Sequence, residues 1–159
     1  MVSKEQIQIS KKWFKKGKCE DDSFDRFICL WIAFNALYGA EAEDKEYKQI
    51  ESFVLKNSDQ RYKSVLGNGV FFHNVIKNLH QKGRAPADTK PYVEKLKCGD
   101  TPLEEKLKNL FFCIYMAMCN LFHGEKTPGN YKDEEIAEYA ATVLEHYLTI
   151  YFENCKSKC

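Results

Sequence analysis

The densest grouping of chemically able side chains in this sequence is Cys119-Asn120-Leu121-Phe122-His123-Gly124, with Lys126 just beyond it. An imidazole changes charge near neutral pH, so His123 is the natural candidate to take or give a proton. Asn120 stands about one helical turn earlier as a hydrogen-bonding neighbour, and Lys126 is the nearest cation. The plain alternative for His123 is a helix-end residue that bonds free carbonyls and interacts with the helix dipole. Cys119 and His123 also stand four apart, a spacing that gives two metal ligands on one helix face. Nothing near them supplies a second pair, and Cys155 and Cys159 form another isolated pair, so no metal site is expected. There is no glycine-rich phosphate loop, no H-E-x-x-H, no G-x-S-x-G and no C-x-x-C. No residues name a cofactor, and none is expected.

A second kind of chemistry lies in the lysines. Lys11, Lys12, Lys15, Lys16 and Lys18 surround Trp13 and Phe14, and a looser group runs through Lys77, His80, Lys82, Arg84, Lys90, Lys95 and Lys97. Lysines meet phosphates while bases stack on aromatic rings, a pairing that suits single-stranded nucleic acid. Lys11, Lys12, Trp13, Lys15, Lys16, Lys82 and Arg84 are the candidates for such contacts. A merely solvated face is the bland alternative. The net charge of +1 excludes a uniformly basic surface, so phosphate binding must rest on local clusters.

Positioning these residues requires helices. The chain of 159 residues suits one domain spanning 1–159, and 44% hydrophobic with 30% charged residues is an ordinary globular balance. Ser3 and Gln6 form a capping box for a first helix carrying Ile9, Trp13 and Phe14, with Gly17 expected to stop it. Asp22 or Ser23 caps a second helix through Tyr38, which Gly39 ends. That helix is apolar nearly all round and belongs at the centre of a bundle. Helices are expected over Glu43 to Lys56, with a stripe of Tyr47, Ile50, Phe53 and Val54, and over Val70 to Gln81. Residues 83–100 read as a long connection with a hint of helix around Tyr92 to Leu96. Thr101-Pro102-Leu103-Glu104 reads as a capping threonine, a first-turn proline and a closing glutamate. The helix that follows repeats Leu107, Leu110, Phe111, Ile114, Met118 and Leu121, then ends at Gly124. A last helix carries Asp133, Glu134 and Glu135 at its positive end. The expected architecture is all-α, a bundle of five to six helices.

No apolar stretch is long enough to span a bilayer, and the polar N-terminal residues do not resemble a signal peptide. Seven cysteines without a paired motif fit a reducing, cytoplasmic setting.

The segment Tyr115-Met116-Ala117-Met118-Cys119-Asn120-Leu121-Phe122-His123-Gly124-Glu125-Lys126, followed by Asp133-Glu134-Glu135 and a long helix, resembles the C-terminal half of HEPN domains. The segment Phe27 to Gly39 is similar to the first core helix of the Apea-like branch of that group. The resemblance implies a dimeric helical bundle, often a metal-independent endoribonuclease of defence, toxin–antitoxin or RNA-processing systems. The family motif joins an arginine, a polar residue, a short spacer and a histidine. The histidine maps onto His123, Asn120 lies in the polar spacer, and a second copy completes the cleft. The histidine then handles protons while the ribose 2′-hydroxyl attacks the adjacent phosphate, and the arginine steadies the developing charge.

Met118 stands where that arginine is expected. A thioether carries no charge, and losing a charge-stabilising donor costs roughly 3–4 kcal/mol, or two to three orders of magnitude in rate. Lys126 substitutes only as a point charge without arginine's fork. The expected function is therefore an RNA-binding protein with a degenerate ribonuclease site around His123. The alternatives are an active endoribonuclease using His123, Asn120 and Lys126, and a non-enzymatic dimeric interaction module. The expected partners are a second copy of the chain, RNA or another nucleic acid, and an antitoxin or other protein.

Overall fold

The computed structural model describes residues 2–67, 74, 89–124 and 129–156. Among these residues the regular elements are α1 (Lys4–Lys18), α2 (Ser23–Tyr38), α3 (Glu46–Lys56), a 3-10 turn (Gln60–Ser64), α4 (Lys90–Lys97), α5 (Leu103–Phe122) and α6 (Tyr131–Lys156). The described part of the chain is an all-α bundle without a strand. The helix expected over 70–81 falls outside the described residues except for Asn74, as do Lys82, Arg84 and Lys126.

The capping box opens α1 as its sequence dictates: the Gln6 N–H donates to Ser3 Oγ at 3.1 Å, and the Ser3 N–H donates to Gln6 Oε1 at 2.9 Å. Gly17 does not stop this helix, which continues to Lys18. Gly17 is buried because α1 and α2 approach each other there, and a Cβ at this position would lie 2.9 Å from Leu30 Cγ. Farther along the pair, the Ser10 hydroxyl donates to the Ala33 carbonyl at 2.6 Å inside the protein. The two helices run antiparallel, so α1 covers one long face of α2.

Asp22 caps α2 through bonds from the Phe24 and Asp25 N–H groups, both at 2.9 Å. The helix is central, as its apolar surface requires. Phe34 is fully buried and its ring meets those of Trp31, Tyr38, Phe53, Phe111 and Tyr147 at centroid distances of 4.8–6.0 Å. These rings come from α2, α3, α5 and α6, so one aromatic cluster joins four helices. Arg26 fixes the outer register of α2 on α6, donating at 2.7 Å to both Glu138 and Glu145.

Besides the end of α1, helices α3, α4 and α5 differ from the sequence expectation. Helix α3 begins at Glu46 rather than Glu43, with Lys45 making no side-chain cap. The Gln49 amide instead holds the preceding turn, donating to the Glu43 carbonyl at 3.0 Å. Tyr47, in the first turn, is exposed, while Ile50, Phe53 and Val54 are buried. Helix α5 starts at Leu103, and Thr101 makes no cap. Pro102 takes the capping position without a side-chain bond, and its extended backbone turns its carbonyl to the Lys106 N–H at 3.0 Å. Within the expected connection, residues 90–97 form α4, which buries Val93 and sets Tyr92 against Phe112 at 5.1 Å.

Candidate functional site

Helix α5 ends as its sequence indicates. The His123 N–H donates to the Cys119 carbonyl at 2.9 Å, and Gly124 adopts a φ of 73°, a left-handed conformation that favours glycine. The chain therefore leaves the helix abruptly, and Phe122 and His123 stand exposed at its tip. Phe122 is 68% exposed, a large apolar ring left in water.

Beside this tip lies a cleft of about 380 Å³ lined by Trp31, Ile32, Asn35, Glu46, Tyr115, Met118, Cys119, Phe122 and His123. It falls within the size range of ligand sites. Three helices build it. Helix α2 contributes Trp31, Ile32 and Asn35, the first turn of α3 contributes Glu46, and α5 with its cap His123 contributes the rest. Trp31 and Tyr115 lie nearly parallel, with ring centroids 6.1 Å apart and planes 27° apart; Trp31 is buried and Tyr115 half-buried at the cleft. Met118 is 2% exposed and forms part of the floor, the packing role its place in the apolar stripe indicates.

A hydrogen-bonded chain runs along the polar side. The Asn35 amide donates to the Tyr38 hydroxyl at 2.6 Å, and that hydroxyl donates in turn to the Glu46 carboxylate in a short bond. Burial, with the bond to Glu46, raises the Tyr38 phenol well above its usual range, so it remains a donor at neutral pH. Burial also raises the Tyr115 phenol, and neighbouring Cys119 and Glu46 push it the same way. The Cys119 thiol is raised chiefly by burial, which keeps it protonated. A protonated thiol is neither a strong nucleophile nor a metal ligand. No cluster of three or more metal-ligating side chains occurs among the described residues.

The cleft brings together only part of what the sequence nominates. His123 lines it. Asn120 is half-buried on the adjoining face of α5 and does not. No residue of α1 lines it either. On α1, Trp13 is half-buried and packs against the core, Lys16 is paired with Glu20, and the Lys11 ammonium lies 5.7 Å from the Phe152 ring centre. Lys12 and Lys15 are exposed.

Sequence reasoning missed Trp31, Asn35, Glu46 and Tyr115 as site residues. Asn35 was the one with a local signal, an amide within an otherwise apolar helix. The other three become neighbours only through packing. Among the described lining residues His123 alone can carry positive charge, while Glu46 is a carboxylate. The arrangement suits a planar, hydrogen-bonding ligand and disfavours an anion deep in the cleft.

No protein-family model matches the sequence, and no curated protein or solved structure matches it. No helix among the described residues is long and apolar enough to cross a membrane.

Proposed function

We propose that this protein is a HEPN-like RNA-binding protein whose cleft at the end of α5 receives unpaired bases. In the same proposal, the ribonuclease chemistry of such domains is lost with the arginine that Met118 replaces. The observation that carries the reading is the convergence of Trp31, Tyr115, Phe122 and His123 on one opening at the position where the family resemblance puts the functional histidine. Aromatic faces stack on any base, and each stacked base contributes about 1–3 kcal/mol. The described lining residues include no lysine or arginine, so the phosphates stay outside the part of the cleft they form.

Weak phosphate contact has a measurable signature. Each neutralised phosphate of a single strand contributes about −0.7 to the slope of log affinity against log salt. A fluorescence-anisotropy titration with single-stranded RNA should therefore bind most tightly at low salt and give a shallow slope of about −1 to −2. No binding at low salt contradicts the proposal and leaves a partner-binding module as the function. Cleavage is tested separately, in chelator, with the natural protein and His123→Ala. Cleavage by the natural protein that His123→Ala abolishes contradicts the loss of catalysis.

A homodimer belongs to the same proposal. The family resemblance implies it, and Tyr131 at the start of α6, 73% exposed, is a large ring for a second copy to cover. Sedimentation at micromolar concentration that shows only an 18.6 kDa species contradicts it. The cytoplasm is the proposed setting, supported by Cys19, Cys29, Cys98, Cys113 and Cys119 carrying no disulfide.

A further inference from the structure

Resting on the RNA reading, we propose that the cleft is selective for guanine, read through its donor edge by the Glu46 carboxylate with Asn35 beside it. Glu46 sits in the first turn of α3 and is exposed, yet its orientation is set, because the Tyr38 hydroxyl donates to it and is itself held by the Asn35 amide at 2.6 Å. A carboxylate offers about four acceptor positions and no donor. The Tyr38 hydroxyl occupies one and the Tyr115 hydroxyl also bonds to this carboxylate, so acceptor capacity for two more donors remains.

The four bases differ in what they present to such a group. Guanine has two adjacent donors on one edge, the ring N1–H and the exocyclic amino group, and these match the two oxygens of a carboxylate. Adenine and cytosine each place an acceptor nitrogen next to their amino group, which a carboxylate repels. Uracil has one N–H flanked by two carbonyl oxygens. The Asn35 amide donates one N–H to Tyr38 and keeps a second for the guanine O6. Tyr115, half-buried and braced by the buried Trp31 ring, and Phe122, exposed at the mouth, present ring surface to the base.

Glu46 is the one carboxylate among the described lining residues, and a carboxylate selects for hydrogen-bond donors. A compact quaternary ammonium also favours aromatic rings beside a carboxylate. It has no N–H donor for the carboxylate and makes no use of Asn35, so the directional Asn35–Tyr38–Glu46 chain favours the base.

The test is a set of short adenosine oligoribonucleotides with one central position varied, titrated by anisotropy against the natural protein and Glu46→Gln. A well-formed bidentate contact discriminates by about ten- to a hundred-fold, so the guanosine oligomer should bind that much more tightly than the all-adenosine one. Inosine, which keeps N1–H and O6 but lacks the amino group, should fall between them. In Glu46→Gln, whose amide retains an acceptor for Tyr38, the guanosine and adenosine oligomers should bind within about twofold of each other. Equal binding of all oligomers by the natural protein overturns the guanine inference and leaves the RNA reading standing. Failure of every oligomer to bind removes the RNA reading itself. Displacement of bound RNA by tetramethylammonium but not by guanosine monophosphate overturns the inference in favour of a cationic ligand.

Discussion

Replacing Gly17 by alanine should destabilise this protein, although the same change in an open helix does the reverse. In a helix interior alanine is favoured over glycine by about 1 kcal/mol. Here the new Cβ meets Leu30 Cγ at 2.9 Å, Leu30 Cδ2 at 3.1 Å and Cys29 Cβ at 3.2 Å. Leu30 is fully buried and Cγ is its branch point, so the clash is not relieved by swinging a free side-chain end. Forcing one methyl group into a filled core costs about 1–3 kcal/mol. The opposed effects leave a net loss of about 0–2 kcal/mol, measured as a lower urea midpoint at unchanged slope. A double-mutant cycle makes the attribution specific. Leu30→Ala alone should cost about 2–5 kcal/mol, and combined with Gly17→Ala it should cost less than the sum, because the added methyl then occupies vacated space. A gain in stability for Gly17→Ala refutes the close approach of α1 and α2. Additivity in the cycle refutes Leu30 as the side chain that is met. The same contact bears on the candidate site, because α1 braces α2, the helix that carries Trp31 and Asn35.

Acid should destabilise the protein through two carboxylates. Glu41 is pushed up by burial, but bonds from Lys56 and Ser52 prevail and hold it below its ordinary value of 4.5, while Lys48 chiefly lowers Glu51. A depressed folded value gives stability that is complete above the unfolded value and lost as pH falls through the folded one. Urea midpoints should therefore stay level from pH 7 down to about 5.5 and fall below about 4.5, and Lys56→Ala should reduce that fall; an unchanged fall contradicts the Glu41 assignment. Among the described cysteines, Cys98 should react first with a thiol reagent, since it is exposed and the Asp100 N–H lowers its pKa. Cys113, pushed up to about 12 by burial, should stay unmodified until unfolding, as peptide mapping will show. His123→Ala should change stability by less than about 1 kcal/mol while weakening RNA binding several-fold, because the side chain is exposed at a helix end. A large loss of stability with unaltered binding makes His123 a structural residue.

The fold was legible where its causes are local. The Ser3–Gln6 box, the Asp22 cap and the Gly124 terminator are decided within four residues, and each is found where the sequence puts it. The stripes on α2 and α5 name the buried core because helical periodicity alone selects those positions. Gly17 was misread because its role depends on Leu30 in another helix, and a glycine needed for close approach looks like a glycine that ends a helix. Thr101 carries the right residue type, but Pro102 in an extended conformation takes the cap from it. Tyr47 reads as part of an apolar stripe but stands in the first turn of α3, at an end of the helix that nothing among the described residues buries. At the candidate site only His123 and the burial of Met118 could be read in advance. Glu46 carries no local mark, since its significance comes from the Tyr38 hydroxyl eight residues earlier and from the α5 residues across the cleft.

Ultraviolet crosslinking of guanosine-containing single-stranded RNA to the protein, with the attached peptides identified by mass spectrometry, tests base entry into the cleft most directly. Crosslinks on Trp31, Tyr115 or Phe122 are the predicted result, weakened by Phe122→Ala. Crosslinks confined to Trp13 and its neighbours on α1, or none above background at low salt, contradict it.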